Sequence, residues 1–223
     1  MTVRVLVLYY SHTNQTRRVA ETMGDVFRER GTEVRFGQIR FTDKRYDFNF
    51  PLKPFWRKML KLILPQLLGR TGEIHIDSRI LEQEYDLICI GSPTWWLYPA
   101  MPLFSFLKSA SAGKLLAKRR FAVFTVSRAL WRLNLRRVKR LATSAGGEFV
   151  AGTKFRFRGS QFQSMLSLIN YLQNGEDRRR FWGWNIHPFG ITDEGLEHAK
   201  AFAGSLLDGI ETSTETGMSS SAR

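Results

Sequence analysis

The sequence predicts an α/β protein, a doubly wound parallel sheet of five strands with helices on both faces and two insertions. Three observations carry this. Apolar β-branched runs alternate with helical apolar spacing, the order that crossover connections require. Tyr85 to Gly91 (Tyr-Asp-Leu-Ile-Cys-Ile-Gly) is a short continuous apolar run, as in a strand covered on both sides. The opening run Val3 to Tyr10 stops at Ser11-His12-Thr13-Asn14-Gln15-Thr16 and then enters a helical pattern, which reads as strand, anion loop, helix.

The elements follow in order. Asn14 to Arg30 repeats Val19, Met23, Val26 and Phe27 at helical spacing, and Gly31 is its stop. Thr32 to Ile39 is the second strand and Tyr85 to Gly91 the third. Ala100 to Ser109 is a helix, with Pro99 and Pro102 near its start, where proline is tolerated. Arg120 to Val126 is the fourth strand. Leu130 to Ala145 is a basic amphipathic helix closed by Gly146-Gly147, and Glu148 to Phe157 is the fifth strand. The closing helix spans Asp193 to Ile210, with Thr192 as N-cap and two acids in its first turn. Residues 1–211 make one domain, and the Ser/Thr/Gly-rich residues 212–223 are expected to be a disordered tail. Two segments exceed a minimal five-strand unit. Residues 41–83 hold Pro51-Leu52-Lys53-Pro54-Phe55-Trp56, and residues 159–185 hold Arg178-Arg179-Arg180 beside Phe181, Trp182 and Trp184.

Composition narrows the function. Of 223 residues, 34 are Lys or Arg and 20 are Asp or Glu, a net charge of +14. Between Lys114 and Arg158 stand thirteen basic residues and one acid, Glu148. That balance suits an anionic membrane surface or an acidic carrier protein, or is a solvated basic face. Specific nucleic-acid binding is not expected, because no zinc finger, helix-turn-helix or RNA-binding strand motif accompanies the charge. The single cysteine, Cys89, excludes an intramolecular disulfide and reads as core. The amino terminus has no basic segment followed by a long apolar run, and no stretch reaches the roughly 18 apolar residues that span a bilayer. A cytoplasmic location is expected, peripheral to the inner face of the membrane if the basic segments meet lipid.

In parallel sheets of this kind ligands sit beyond the carboxyl ends of the strands. The relevant loops therefore follow Tyr10, Gly91 and Val126. Ser11, Thr13, Asn14, Gln15 and Thr16 offer hydroxyls, an amide pair and a helix amino end, which suit a phosphate. The second loop carries Ser92, Pro93, Thr94, Trp95, Trp96 and Tyr98; its aromatics either stack on a flat conjugated ligand or plug the sheet end. The third carries Ser127 and Arg128, where the cation faces a reduced ring or a substrate. His12 faces solvent or an anion, and His75, His187 and His198 lack metal-ligand spacing. No nucleophile elbow, Walker loop or Gly-x-Gly-x-x-Gly fingerprint is present. No catalytic side chain and no metal site are assigned.

A first strand ending in Ser11-x-Thr13-x-x-Thr16, an aromatic loop after the third apolar strand and a closing helix together resemble the flavodoxin-like family. The resemblance covers Thr2 to about Leu207, apart from the insertions. It implies that the first loop holds the phosphate of FMN and that the next two sandwich the isoalloxazine. The first loop departs from the pattern. Asn14 stands where glycine is common and Gln15 where asparagine is, and asparagine tolerates left-handed backbone.

The Pro-x-x-Pro-Phe-Trp insertion, the stretch from Phe106 to Leu116 and Ser127-Arg128-Ala129-Leu130-Trp131 resemble the bacterial dialkylresorcinol-condensing-enzyme-like branch. That branch implies a flavin oxidoreductase acting on a cyclic, lipid-tailed intermediate. The second insertion is similar to one in flavodoxin-like protoporphyrinogen oxidases, which work at the membrane. The expectation is an FMN-dependent oxidoreductase of a hydrophobic cyclic or quinone-like substrate, with NAD(P)H as donor. The alternatives are a non-enzymatic electron carrier, a type that looks acidic where this chain is basic, and a flavin-free binding protein. The apolar insertions suit a lid, a membrane contact or a homodimer interface.

Overall fold

The computed structural model describes residues 2–46, 50–157 and 160–220. Its elements are β1 (Arg4–Tyr9), α1 (Gln15–Glu29), β2 (Glu33–Gln38), β3 (Arg40–Phe41), α2 (Phe55–Leu67), β4 (Ile74–His75), α3 (Ser78–Leu81), β5 (Leu87–Trp95), β6 (Tyr98–Pro99), α4 (Met101–Leu107) and α5 (Ala110–Leu116). These are followed by β7 (Arg120–Ser127), α6 (Trp131–Ser144), β8 (Glu148–Arg156), α7 (Gln161–Asn174), β9 (Arg180–Phe181), β10 (Trp184–Asn185) and α8 (Asp193–Ser220). The five long strands form one parallel sheet in the order β2-β1-β5-β7-β8.

The two-residue period of a strand sorts its side chains onto two faces. Val5, Val7 and Tyr9 of β1, Leu87 and Cys89 of β5, and Ala122, Phe124 and Val126 of β7 share one core. It is roofed by Val19, Met23 and Phe27 of α1 and by Ala199, Ala203 and Leu206 of α8. The intervening residues Leu6, Leu8, Ile88, Ile90, Phe121 and Val123 pack oppositely against α4, α5 and α6. Cys89 lies wholly in the first core, where burial pushes its thiol pKa up.

Gly91 shows why a strand interior needs a glycine here: a Cβ would stand 2.4 Å from Phe124 Cζ and 2.8 Å from Tyr9 Cβ. At the same level β1 and β5 meet, Tyr9 opposite Gly91. The chain leaves β1 toward one face and β5 toward the other, so this junction is the switch point of the sheet.

Two boundaries differ from expectation, and two short helices were not foreseen. The third strand does not stop at Gly91. It runs to Trp95, because Ser92 and Pro93 continue the ladder to Thr125 and Val126 and because Thr94 and Trp95 pair with Pro99 and Tyr98 of β6. The short helices α3 and α5 have too few turns to display a period. The closing helix runs to Ser220 rather than ending at Ile210, so residues 212–220, expected to be disordered, continue as helical backbone. Thr212 Oγ1 donates back to the Asp208 carbonyl at 2.8 Å, and an established helix extends without a fresh nucleation cost. Residues 221–223 of that tail lie outside the described residues.

The two insertions form one lobe. Leu52 N–H donates to the Leu172 carbonyl at 2.7 Å, and Leu52 and Phe55 pack with Met59, Leu168, Ile169 and Leu172. Residues 47–49 and 158–159 of these segments lie outside the described residues. At the edge of the first insertion the buried Asp43 carboxylate accepts the amides of Arg45 and Glu73 and the Arg45 guanidinium. The guanidinium beside it holds the carboxyl well below the usual carboxylate range, with the two amides adding to the effect.

Candidate functional site at the carboxyl edge of the sheet

The first loop is shaped by its own residues. Asn14 adopts left-handed backbone, φ 59°, which turns the chain into α1. Ser11 Oγ accepts the Arg17 amide at 3.3 Å, a cap on one of the free N–H groups. The amides of Gln15 and Thr16 have no intrahelical acceptor by helix geometry, and the first turn carries no acid. Thr13 is half-buried, Thr16 buried and Asn14 exposed. This is a helix amino end suited to an anion.

Gln15 has another duty. Its Oε1 accepts the Ile191 amide at 2.9 Å, tying the loop to the start of α8. Gly190 makes the approach feasible: its φ is +127°, and a Cβ would stand 2.4 Å from that oxygen. The side chain of Gln15 therefore braces the loop and is not directed at a ligand.

His12 is also unlike its expectation. Its ring meets Phe50 at 5.6 Å and Trp95 at 6.2 Å, both edge-to-face. Burial pulls its pKa down to about 4, so near neutral pH it is an uncharged imidazole and not a cationic anion-binder.

The second loop meets the first through Trp95, whose ring packs on Tyr10 at 5.6 Å and 84°. Trp96, in left-handed backbone at φ 58°, forms the half-exposed tip of the β5–β6 hairpin. Tyr98 is engaged elsewhere: Arg137 lies over its ring at 5.0 Å and over Phe104 at 5.4 Å. Ser92 and Thr94 are held by Asn134 of α6, fully buried. Ser92 Oγ donates to Asn134 Oδ1 at 2.7 Å, and Asn134 Nδ2 donates to Thr94 Oγ1 at 2.7 Å. The Pro93 carbonyl accepts the Ala100 amide at 3.0 Å. Sequence reasoning missed Asn134. Its signal was a polar residue on the stripe it shares with Val138 and Ala142, four and eight residues on.

In the third loop, Ser127 is 2% exposed and its Oγ has no hydrogen-bond partner among the described residues. Burial lowers the pKa of the half-buried Arg128 from the usual guanidinium value. Register brings these loops together, since Pro93 of β5 stands opposite Val126 of β7.

Two cavities border the edge. A cleft of about 470 Å³ is lined by Tyr10, Ser11 and His12 and by residues 38–44, on the β2 side of the first loop. None of the second- or third-loop candidates lines it. A smaller cavity of about 100 Å³ lies between the carboxyl end of α2 and α6, walled by Leu67, Leu68, Tyr98 and Phe104. Gln66 Oε1 and Arg137 Nε, both buried, have no partner among the described residues there. No group of three metal-ligating side chains occurs among the described residues.

Solved structures with the same strand arrangement decide the fold. The chain is similar to a flavoprotein in complex with FMN from Lactobacillus acidophilus NCFM, at 22% identity and TM-score 0.51, covering 69% of this chain and 93% of that one. It is similar to a flavodoxin from the domain Archaea, at 11% identity and TM-score 0.52, covering 94% and 99%. The fold is flavodoxin-like. A short-chain flavodoxin associated with a non-canonical PDU bacterial microcompartment agrees at 11% identity and TM-score 0.51, covering 94% and 99%. No protein-family model and no curated protein matches the chain. In this flavodoxin-like frame the first loop and the Trp95 hairpin flank the switch point.

Ser127 Oγ, the acid-free amino end of α1 and the left-handed turn at Asn14 fit a phosphorylated flat cofactor at that place. The fit uses fewer residues than the sequence suggested, since Gln15, Ser92, Thr94 and Tyr98 already have partners in the protein.

Proposed function

We propose that the protein is an FMN-dependent oxidoreductase acting on a hydrophobic cyclic or quinone-like substrate, with NAD(P)H as electron donor. The observation that carries this reading is the meeting of Trp95 with the Ser11–Thr16 loop at the switch point, through Tyr10 and His12. The FMN complex of the Lactobacillus acidophilus flavoprotein, which has this fold, adds support.

Ser11, Thr13, Thr16 and the free amides at the start of α1 hold the phosphate. Ser127 Oγ, otherwise without a hydrogen-bond partner among the described residues, bonds a polar edge of the cofactor, and Trp95 walls its flat part. Arg128 supplies positive charge beside a reduced ring or an anionic substrate. FMN, when bound, supplies the hydride and single-electron chemistry that these side chains lack. The neutral His12 packs its ring against Phe50 and Trp95 beside the loop. A hydrophobic substrate partitions into bilayers, so the enzyme works from the cytoplasm at the inner membrane face.

The test is the absorption spectrum of the purified protein, followed by FMN titration against thermal midpoint. A flavin spectrum, or a midpoint that rises with FMN concentration, supports the reading. A colourless protein whose midpoint ignores FMN overturns it. Steady-state NADPH turnover with a quinone separates enzyme from electron carrier. One observation favours a flavin-free binding protein instead: the cleft of about 470 Å³ lies on the β2 side of the first loop, and neither Trp95 nor Ser127 lines it.

A further inference from the structure

The helix α2 is amphipathic in the wrong direction for a helix that only packs. Phe55 and Leu62 are buried, but Trp56, Leu60 and Leu64 are 61%, 67% and 63% exposed. Four-residue spacing puts these three on one line along the helix. Leu67 and Leu68, also exposed, prolong it to the helix end. A single exposed leucine is ordinary on a soluble protein, whereas a contiguous row of five large apolar side chains marks a contact surface.

The charge around that row names the partner. From Phe50 to Gly72 the chain has Lys53, Arg57, Lys58, Lys61 and Arg70 and no acid. Large apolar side chains with a tryptophan, flanked by lysine and arginine, are the composition of a helix lying in a bilayer interface. An acidic protein would use the charges and leave five apolar side chains in water. A second copy of this chain would bring the same cations face to face. The helix has 13 residues, and no helix among the described residues is long and apolar enough to cross a membrane, so α2 lies on the surface. A second exposed aromatic group, Trp182 and Trp184 of the β9–β10 ribbon with Phe162 of α7, belongs to the same two-insertion lobe. Leu67 and Leu68 also wall the small cavity that holds Gln66 Oε1 and Arg137 Nε, so the row ends at a polar recess.

We propose that α2 docks the protein on an anionic lipid bilayer, sinking Trp56, Leu60 and Leu64 to the acyl boundary while the exposed Arg57 and Lys61 meet headgroup phosphates. This gives a membrane-side reaction its docking surface, and it stands whether or not flavin is bound.

The experiment is flotation of the full-length protein with vesicles of phosphatidylcholine alone, and with about one-third phosphatidylglycerol added. Binding is expected only with the anionic vesicles, weakening as salt rises. Leu60→Ser with Leu64→Ser, both exposed and therefore compatible with the fold, should cut partitioning at least about tenfold. Arg57→Glu with Lys61→Glu should abolish the preference for anionic lipid. Protein left in solution with both vesicle types overturns the proposal. So does equal binding by the double-serine variant, which would leave charge alone and point to an acidic partner. A wild-type dimer that the double-serine variant converts to monomer, with no vesicle binding, would assign the row to a second copy. FMN uptake is read in parallel from absorbance, so a failure to bind lipid and a failure to bind flavin are seen separately.

Discussion

Asn134 Nδ2 donates to Thr94 Oγ1 at 2.7 Å, while its Oδ1 accepts from Ser92 Oγ at the same distance. One buried amide on α6 thus locks the end of β5, which carries Trp95. Asn134→Ala leaves Ser92 Oγ buried without its acceptor and opens a gap under the hairpin. We expect a loss of about 2–4 kcal/mol in unfolding free energy, measured by denaturant titration.

Gln15 offers a contrast between bracing and binding. Gln15→Ala orphans the buried Ile191 amide and should cost about 1–3 kcal/mol in ligand-free protein. Gln15→Glu keeps an acceptor at that place and should recover part of the loss. Thermal or chemical unfolding of the two variants decides the matter, and equal destabilisation would remove the bracing role.

Ser127 should behave in the opposite sense. Its buried hydroxyl has no hydrogen-bond partner among the described residues, so Ser127→Ala should leave the stability of ligand-free protein within about 1 kcal/mol of wild type, or raise it slightly. The same change should weaken FMN binding by about tenfold. Fluorescence titration of FMN alongside an unfolding curve reads both quantities. Unchanged affinity would place the flavin elsewhere.

His12 sets a pH dependence. Its folded pKa is about 4 against an ordinary 6.5, so the unfolded chain takes up a proton that the folded one refuses. Stability from this group is intact above pH 6.5 and is lost as pH falls toward 4, reaching about 3 kcal/mol. His12→Phe, which preserves an aromatic ring against Phe50 and Trp95, should flatten that part of the stability profile. A profile with the same slope in both proteins would contradict the half-buried, neutral state.

Gly91 tests the packing at the switch point. Gly91→Ala drives a methyl into Phe124 and Tyr9 and should destabilise by about 1–3 kcal/mol, as read from the thermal midpoint.

The strands β1, β2, β7 and β8 and the helices α1 and α6 were legible because hydrophobic period and glycine stops act locally. The first loop was legible for the same reason, as hydroxyls and amides crowd the end of an apolar strand. The extension of β5 through Trp95 was not, since it depends on partners supplied by β6 and β7. The composition of Ser92 to Trp95 alone suggests a loop. The duties of Gln15 and His12 were hidden likewise, because Ile191 and Phe50 approach from distant parts of the chain. The joining of the two insertions through Leu52 and Leu172 is a tertiary fact with no trace in either segment.

Trp95 stands on a strand whose last two residues are paired with Tyr98 and Pro99. An occupant arriving at this wall meets a surface already set, so little conformational freedom remains to be surrendered at encounter. Capture there should proceed without a slow closing step, and selectivity among flat molecules should come from how long each one stays.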